Sequence, residues 1–134
     1  MFAFVLLLAI ATSTPAQTVE AFLAALNDAD PKIVALFDDE ATIFFPMNDR
    51  PLRANGRAEI EATFTSLFAQ MANAKGKGMP APESLRTDML GDDAAIVTFQ
   101  TTNPNVTSRR TFVLKREGAT WKIVHLHGSN VRKD

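Results

Sequence analysis

The separation of helical and strand-like patterns along the chain constrains its fold more than any other feature. Apolar residues recur at helical spacing in Val19–Leu26 and again in Ile60–Met71. The second half carries four runs of strand-forming residues separated by turn residues, at Leu85–Leu90, Ala94–Thr101, Arg109–Arg116 and Trp121–His127. Because helices and strands occupy different parts of the chain, we predict an α+β fold with helices packed on one face of a largely antiparallel sheet.

Local signals predict where these elements begin and end. Thr18 is placed to cap the first helix, and Asp30, followed by proline, is placed to cap a second, short helix. The β-branched and aromatic residues of Ala41–Phe45 predict a first strand. The polar segment Met47–Ala54 and the segment Asn73–Pro82, rich in Gly, Pro and Lys, are interpreted as connecting loops.

The composition indicates one domain and excludes several functions. A chain of 134 residues with 46% hydrophobic residues can bury a single core. Fourteen basic and fifteen acidic residues give a net charge of -1 with no basic patch, so nucleic acid is not an expected partner. The absence of cysteine excludes disulfides, thiolate nucleophiles and cysteine-bound zinc, and no motif predicts a cofactor.

The N-terminal segment has the pattern of a signal peptide. Phe2–Ala11 is an unbroken apolar run, and Thr12–Ala16 supplies small residues suited to cleavage. The run is shorter than the ~20 residues that a spanning helix needs, so we expect no stable membrane anchor after cleavage. We therefore predict a signal peptide over residues 1–16, a domain over residues 17–134, and export to the periplasm or the medium.

Two histidines and two groups of charged residues are candidates for chemistry. His125 and His127 lie two residues apart on a predicted strand, so they share one face, but no obvious third ligand accompanies them and no metal site is predicted. The acidic cluster Asp38–Glu40 is interpreted as a solvated turn. Arg109 and Arg110 point to opposite faces of their strand, and whichever points inward would form a site for a carboxylate or phosphate.

The aromatic composition predicts either a packed core or an apolar pocket. Ten phenylalanines and no tyrosine leave few hydroxyl donors, which suits a ligand held by its shape and by one or two polar groups. The candidate ligand-binding residues are Phe45, Phe64, Phe68, Phe99, Arg110 and Trp121.

Three stretches carry a resemblance to a known family. Phe37–Pro46, Asn55–Ile60 and Trp121–Ser129 resemble the SnoaL-like branch of the nuclear transport factor 2-like superfamily. The resemblance spans nearly all of Thr18–Val131. It implies a cystatin-like fold, in which a curved antiparallel sheet is wrapped by three helices into a cone with a pocket at its open end. It also implies a homodimer formed through the sheet face.

The departures from that family bear on activity. Phe45 stands where ketosteroid isomerases of this superfamily place their general base, and the chain has no tyrosine to donate to an enolate oxygen. Steroid isomerisation by that mechanism is therefore excluded. The last predicted strand is also similar to the association domain of calcium/calmodulin-dependent kinase, but Gly128 stands where that domain carries a pocket arginine.

These observations predict an exported SnoaL-like domain that binds a small, mostly apolar molecule and forms a homodimer. One alternative is a lyase, isomerase or hydrolase that uses His125 or His127 as a general base near Asp49 or Arg110. Another is a structural homodimerisation module with no ligand. Alternation alone leaves open whether the histidines or Val124, Leu126 and Gly128 face the pocket.

Overall fold

The computed structural model describes residues 14–46, 51–72 and 81–133. The helices are α1 (Pro15–Asn27), a 3-10 helix (Pro31–Leu36) and α2 (Gly56–Ala72). The strands are β1 (Phe37–Pro46), β2 (Pro51–Asn55), β3 (Glu83–Met89), β4 (Ala94–Thr102), β5 (Val106–Glu117) and β6 (Thr120–Arg132). Within the described part of the chain, we find no helix of the length and apolar character required to cross a bilayer.

The six strands form one sheet in the order β2-β1-β6-β5-β4-β3. Strands β1 and β6 run parallel, and every other neighbouring pair is antiparallel. Helix α1 packs against β4 and β6, whereas α2 packs against β1 and β2. The α+β fold and the largely antiparallel sheet predicted from the sequence are therefore confirmed.

Strand register and burial divide the sheet into two faces. The inner face carries fully buried side chains in register with one another: Ile43, Val97, Phe112, Leu114, Ile123 and Leu126. The outer face carries half-buried or exposed side chains: Thr42, Phe44, Ile96, Thr111, Val113, His125 and His127. The helices cover the inner face, since the aromatic core of the protein lies there.

A β-bulge in β6 decides which residues belong to each face. Val113 pairs with His125 and Leu114 pairs with Ile123, so Val124 has no partner in the register. Two residues of β6 therefore span the interval of one residue of β5, as in other bulges. The extra residue keeps both Ile123 and Leu126 on the inner face and turns His125 outward.

Phenylalanines from helix and strand meet at the centre of the core. The ring of Phe22 in α1 lies edge-on to those of Phe37, Phe64 and Phe112, with centroid distances of 6.0, 6.0 and 5.1 Å. Edge-to-face pairs at these distances add stabilisation beyond their buried area. Phe22 thus joins both helices to the inner face of the sheet.

Three sequence-based boundaries are corrected by the structure. Helix α1 is capped by Thr14, whose hydroxyl accepts from the Gln17 backbone while the Gln17 side chain accepts from the Thr14 backbone. Thr18 is instead fully buried one turn later, where its hydroxyl donates to the Trp121 carbonyl over 2.9 Å. The capping box was missed because the apolar periodicity starts only at Val19.

The connector predicted over Met47–Ala54 contains part of strand β2, and Asp38–Glu40 lie within β1 rather than in a turn. Strand β2 pairs antiparallel with the end of β1, and this long-range pairing overrides the polar local pattern. The 3-10 helix does begin after Asp30, as predicted, because the Asp30 carboxylate accepts from the Lys32 backbone. Of the loop predicted over Asn73–Pro82, residues 73–80 lie outside the described residues.

An ion pair links the first strand to the fifth across β6. Lys115 Nζ lies 3.0 Å from the Asp38 carboxylate, whose side chain is only 16% exposed, and 3.4 Å from that of Glu117. The hydrogen bond from Lys115 lowers the pKa of Asp38 below its ordinary value. Because the folded-state pKa is depressed, the pair stabilises the fold above the ordinary carboxyl pKa, and this contribution is lost as the pH falls through the folded-state value.

We expect Asp38→Asn to lower the free energy of unfolding by about 0.5–1 kcal/mol at pH 7, since the substitution removes a partly exposed ion pair. The difference from wild type should shrink towards zero as the pH falls below the folded-state pKa of Asp38. Urea unfolding followed by circular dichroism at a series of pH values measures both effects. Glu61→Gln, at an exposed carboxylate of α2, is the matched control. An equal loss for Asp38→Asn at pH 3 and pH 7 would contradict this account.

Candidate functional site

Arg110 is a half-buried charged residue on the inner face. Consecutive residues of β5 point to opposite sides, so Arg109 is exposed while Arg110 is half-buried, as the alternation in the sequence predicts. The register places Arg110 opposite Gly128 on β6 and opposite Phe99 on β4. The inward arginine therefore lies beside the only glycine of β6.

Gly128 makes room for the Arg110 side chain. A Cβ atom at Gly128 would lie 3.1 Å from Arg110 Nη1, 3.3 Å from Arg110 Cζ and 3.1 Å from Pro46 Cδ. These distances are shorter than ordinary contacts between non-bonded heavy atoms. A side chain at this position would therefore push against the guanidinium and the proline ring together.

The guanidinium is held by backbone carbonyls and an aromatic ring. Its Nη1 donates to the carbonyls of Arg109 and Ser129 over 2.9 and 3.3 Å. Its Cζ lies 4.9 Å from the centroid of the Phe45 ring, a cation–π contact. Among residues 14–46, 51–72 and 81–133, no carboxylate forms a salt bridge with Arg110. Burial lowers the pKa of Arg110 because desolvation disfavours its charged form.

An apolar recess, here called the edge recess, lies on one side of Arg110. Its volume is about 400 Å³, and it lies beside β6 where β1 ends and β2 begins. The residues that line it are Phe44, Phe45, Pro46, Leu52, His127, Gly128, Ser129 and Asn130. Phe45 and Ser129, which both contact the Arg110 guanidinium, belong to this lining, as does Gly128.

A second recess, here called the polar recess, includes Arg110 itself. Its volume is about 380 Å³, and it is lined by Ser84, Thr98, Phe99, Gln100, Arg109, Arg110 and Thr111. It lies beside an irregularity in the pairing of β3 with β4, where Ser84 adopts a φ of 56°. Arg110 thus lines this recess and contacts residues of the edge recess, and no acidic residue is among the described lining of either.

The structure brings together only part of the predicted ligand-binding set. Phe45 and Phe99 flank Arg110, whereas Phe64 is 2% exposed and belongs to the core cluster around Phe22. Phe68 packs against Phe64 at a centroid distance of 5.9 Å.

Trp121 lies at the other end of the β5–β6 pair. It lines a separate recess of about 650 Å³ together with Thr14, Pro15, Met89, Asp92, Arg116, Gly118 and Ala119. The register places Trp121 opposite Arg116, whereas Arg110 lies opposite Gly128. Trp121 is therefore distant from the surroundings of Arg110.

The two histidines lie on the outer face, and the structure does not bring them together with Arg110. His125 Nδ1 and the Thr42 hydroxyl are 2.8 Å apart, and the Phe44 ring lies 5.6 and 5.8 Å from the rings of His125 and His127. His127 also lines the edge recess. Asp49, the carboxylate considered beside them, lies outside the described residues. Within the described ranges, no group of three His, Cys, Asp or Glu residues is placed to hold a metal ion.

Sequence reasoning missed Leu52, Pro46 and the spatial role of Gly128. Leu52 lies in a segment interpreted as a connector, and its inward position follows only from its pairing with Phe45. The sequence showed only that Gly128 lacks the arginine of the kinase association domain. Its pairing with Arg110 shows that the absent side chain leaves room for the Arg110 guanidinium. A prediction of the β5–β6 register that included the bulge would have found this pair.

Comparison with solved structures shows a shared fold. A proposed calcium/calmodulin-dependent protein kinase type II association domain from Thiobacillus denitrificans is 24% identical, with a TM-score of 0.73, covering 90% of this chain and 97% of that one. An NTF2-like protein of unknown function from Pseudomonas putida is 21% identical, with a TM-score of 0.65, covering 85% and 82%. A proposed scytalone dehydratase from Novosphingobium aromaticivorans is 13% identical, with a TM-score of 0.67, covering 87% and 80%.

Comparison with family models is more specific. No protein with a curated description matches the chain. The model of the SnoaL-like domain matches residues 16–133, which is nearly the whole chain. The chain therefore belongs to the SnoaL-like domain family.

Proposed function

We propose that the protein binds a small, mostly apolar molecule at the edge recess. Phe45 and Leu52 project from neighbouring strands towards the inner face, and both are half-buried, so part of their apolar surface stays accessible to a ligand. The recess is open to solvent rather than enclosed, and its volume of about 400 Å³ is comparable to that of small-molecule pockets. The accessible apolar lining of this recess, with few polar groups, is the observation that carries the proposal.

We favour a protein that binds its ligand without converting it over an enzyme. Phe45, at the position where related isomerases hold a base, is a ring that takes no proton and contacts Arg110. An enzyme that uses His127 as a general base is the second candidate, because this imidazole lines the recess. The described lining holds no carboxylate to act with it. Conversion of a bound ligand that His127→Gln abolishes would favour the enzyme.

We expect the neutral probe 1-naphthaleneacetamide to bind with a dissociation constant on the order of 0.1–1 mM, as its size and apolar character allow. Leu52→Ser should weaken that binding about fivefold, because part of the apolar contact is lost. Isothermal titration calorimetry measures both constants.

Leu23→Ser is the matched control for Leu52→Ser. Leu23 is also half-buried and packs against the core, but it lies on α1 and does not line the recess. Both substitutions should lower thermal stability, whereas only Leu52→Ser should weaken the probe. Equal effects of the two variants on binding, or no binding to the wild-type protein, would contradict the proposed function.

We further propose that the outer face pairs with the same face of a second copy. Val113 lies at its centre, in register with Ile96 on one side and His125 on the other. These side chains are only half-buried, and Phe44 on the same face is 40% exposed. Two of the structurally similar proteins are described as proposed association domains, which supports self-association.

Sedimentation equilibrium should give the mass of two chains for the wild-type protein. Val113→Lys should shift it to the mass of one chain, since a lysine at the centre of the interface would be desolvated without a partner. Met89→Lys, at an exposed apolar position in register with the inner-face residue Ala95, should leave the dimer intact. A wild-type monomer would overturn this proposal and reduce the case for a structural homodimerisation module.

We also propose that the protein is exported and that residues 1–16 are removed. The apolar run Phe2–Ala11 followed by small residues supports this. Cleavage after Ala16 also removes the Thr14 cap of α1, so the mature helix would begin at Gln17. Intact mass measurement of the protein from the cell envelope or medium should give a chain that starts at Gln17, and an unprocessed N-terminus would contradict export.

A further inference from the structure

We propose that the ligand of the edge recess is a carboxylic acid with an apolar body, and that Arg110 binds its carboxylate. This inference rests on the proposed function and specifies the class of molecule. Arg110 lines the polar recess, and its guanidinium contacts Phe45 and donates to the Ser129 carbonyl, two residues of the edge recess. The guanidinium therefore lies beside the edge recess, where it would meet one end of a bound molecule.

The described surroundings of Arg110 hold the guanidinium in place and supply no opposite charge. Both of its hydrogen bonds to described residues start from Nη1 and end on neutral backbone carbonyls. Nε and Nη2 donate to no described residue, and these two nitrogens form one edge of the planar group. That edge matches the two oxygens of a carboxylate, which binds arginine through two parallel hydrogen bonds.

The charges around the two recesses favour an anion. Arg110 lines the polar recess, and no acidic residue is among the described lining of either recess. Its half-buried guanidinium has lost part of its hydration and gains no opposite charge from a described carboxylate. An incoming carboxylate supplies that charge, whereas a neutral ligand does not.

Gly128 leaves the space that this guanidinium occupies. Any other residue there would place a Cβ atom 3.1 Å from Arg110 Nη1. The Phe45 ring lies against the guanidinium at 4.9 Å and also lines the edge recess. The same ring can therefore contact the apolar body of a ligand whose carboxylate reaches Arg110, which joins the two halves of the site.

The test compares two probes of nearly equal size and shape, 1-naphthaleneacetate and 1-naphthaleneacetamide, by titration calorimetry at pH 7 on the full chain. We expect the acid to bind wild-type protein at least tenfold more tightly than the amide. Arg110→Gln should bring the two constants together by weakening the acid alone. Arg116→Gln, at an exposed arginine of the same strand that lies opposite Trp121 and lines neither recess, should keep the preference.

Each outcome decides between the two proposals. Equal affinity of the wild-type protein for acid and amide would overturn the carboxylate assignment and leave the apolar site intact. Failure of both probes to bind would overturn the apolar site and this inference with it. A preference for the acid that survives Arg110→Gln would assign the carboxylate to another cation. The difference in affinity between the acid and the amide is measured on the wild-type protein, so it tests the proposal even if Arg110→Gln does not fold.

Discussion

The bulge at Val124 is the constraint on which the arrangement of the site depends. Strict alternation along β6 would place His125 and His127 on the same face as Trp121 and Ile123. One extra residue reverses that relation, so Leu126 continues the buried row and the imidazoles face outward. Bulges commonly re-aim side chains near functional sites. Here the bulge brings Gly128 to the inner face, and the absence of its side chain admits the guanidinium of Arg110.

Much of the fold was predictable from the sequence, whereas much of the site was not. The helical spacing of Ile60–Met71 and the four strand-like runs predicted α+β architecture, because amphipathic periodicity reflects a single buried face. Strand β2 was missed, since its five residues are stabilised by pairing with β1 rather than by their own pattern. The inner position of Arg110 was one of two options that alternation allows. Its partnership with Gly128 depends on register across two strands, which a local pattern does not encode.

Two positions at which this sequence departs from the proteins it resembles, Phe45 and Gly128, both lie beside Arg110. Phe45 stands where the resemblance places a carboxylate base in ketosteroid isomerases, and its ring contacts the Arg110 guanidinium. Gly128 stands where the resemblance places a pocket arginine in the kinase association domain, and the Arg110 guanidinium from the neighbouring strand lies beside it. These two positions would give the proposed site a charged end and an apolar wall. Function in this fold is set by such local residues rather than by the architecture.

The most direct measurement is a crystal structure of the protein grown with 1-naphthaleneacetate. We expect both carboxylate oxygens within about 3.2 Å of Arg110 Nε and Nη2, and the naphthalene ring against Phe45 and Leu52. Density for the acid on the outer face beside His125, or an Arg110 side chain turned away from Gly128 into solvent, would contradict it.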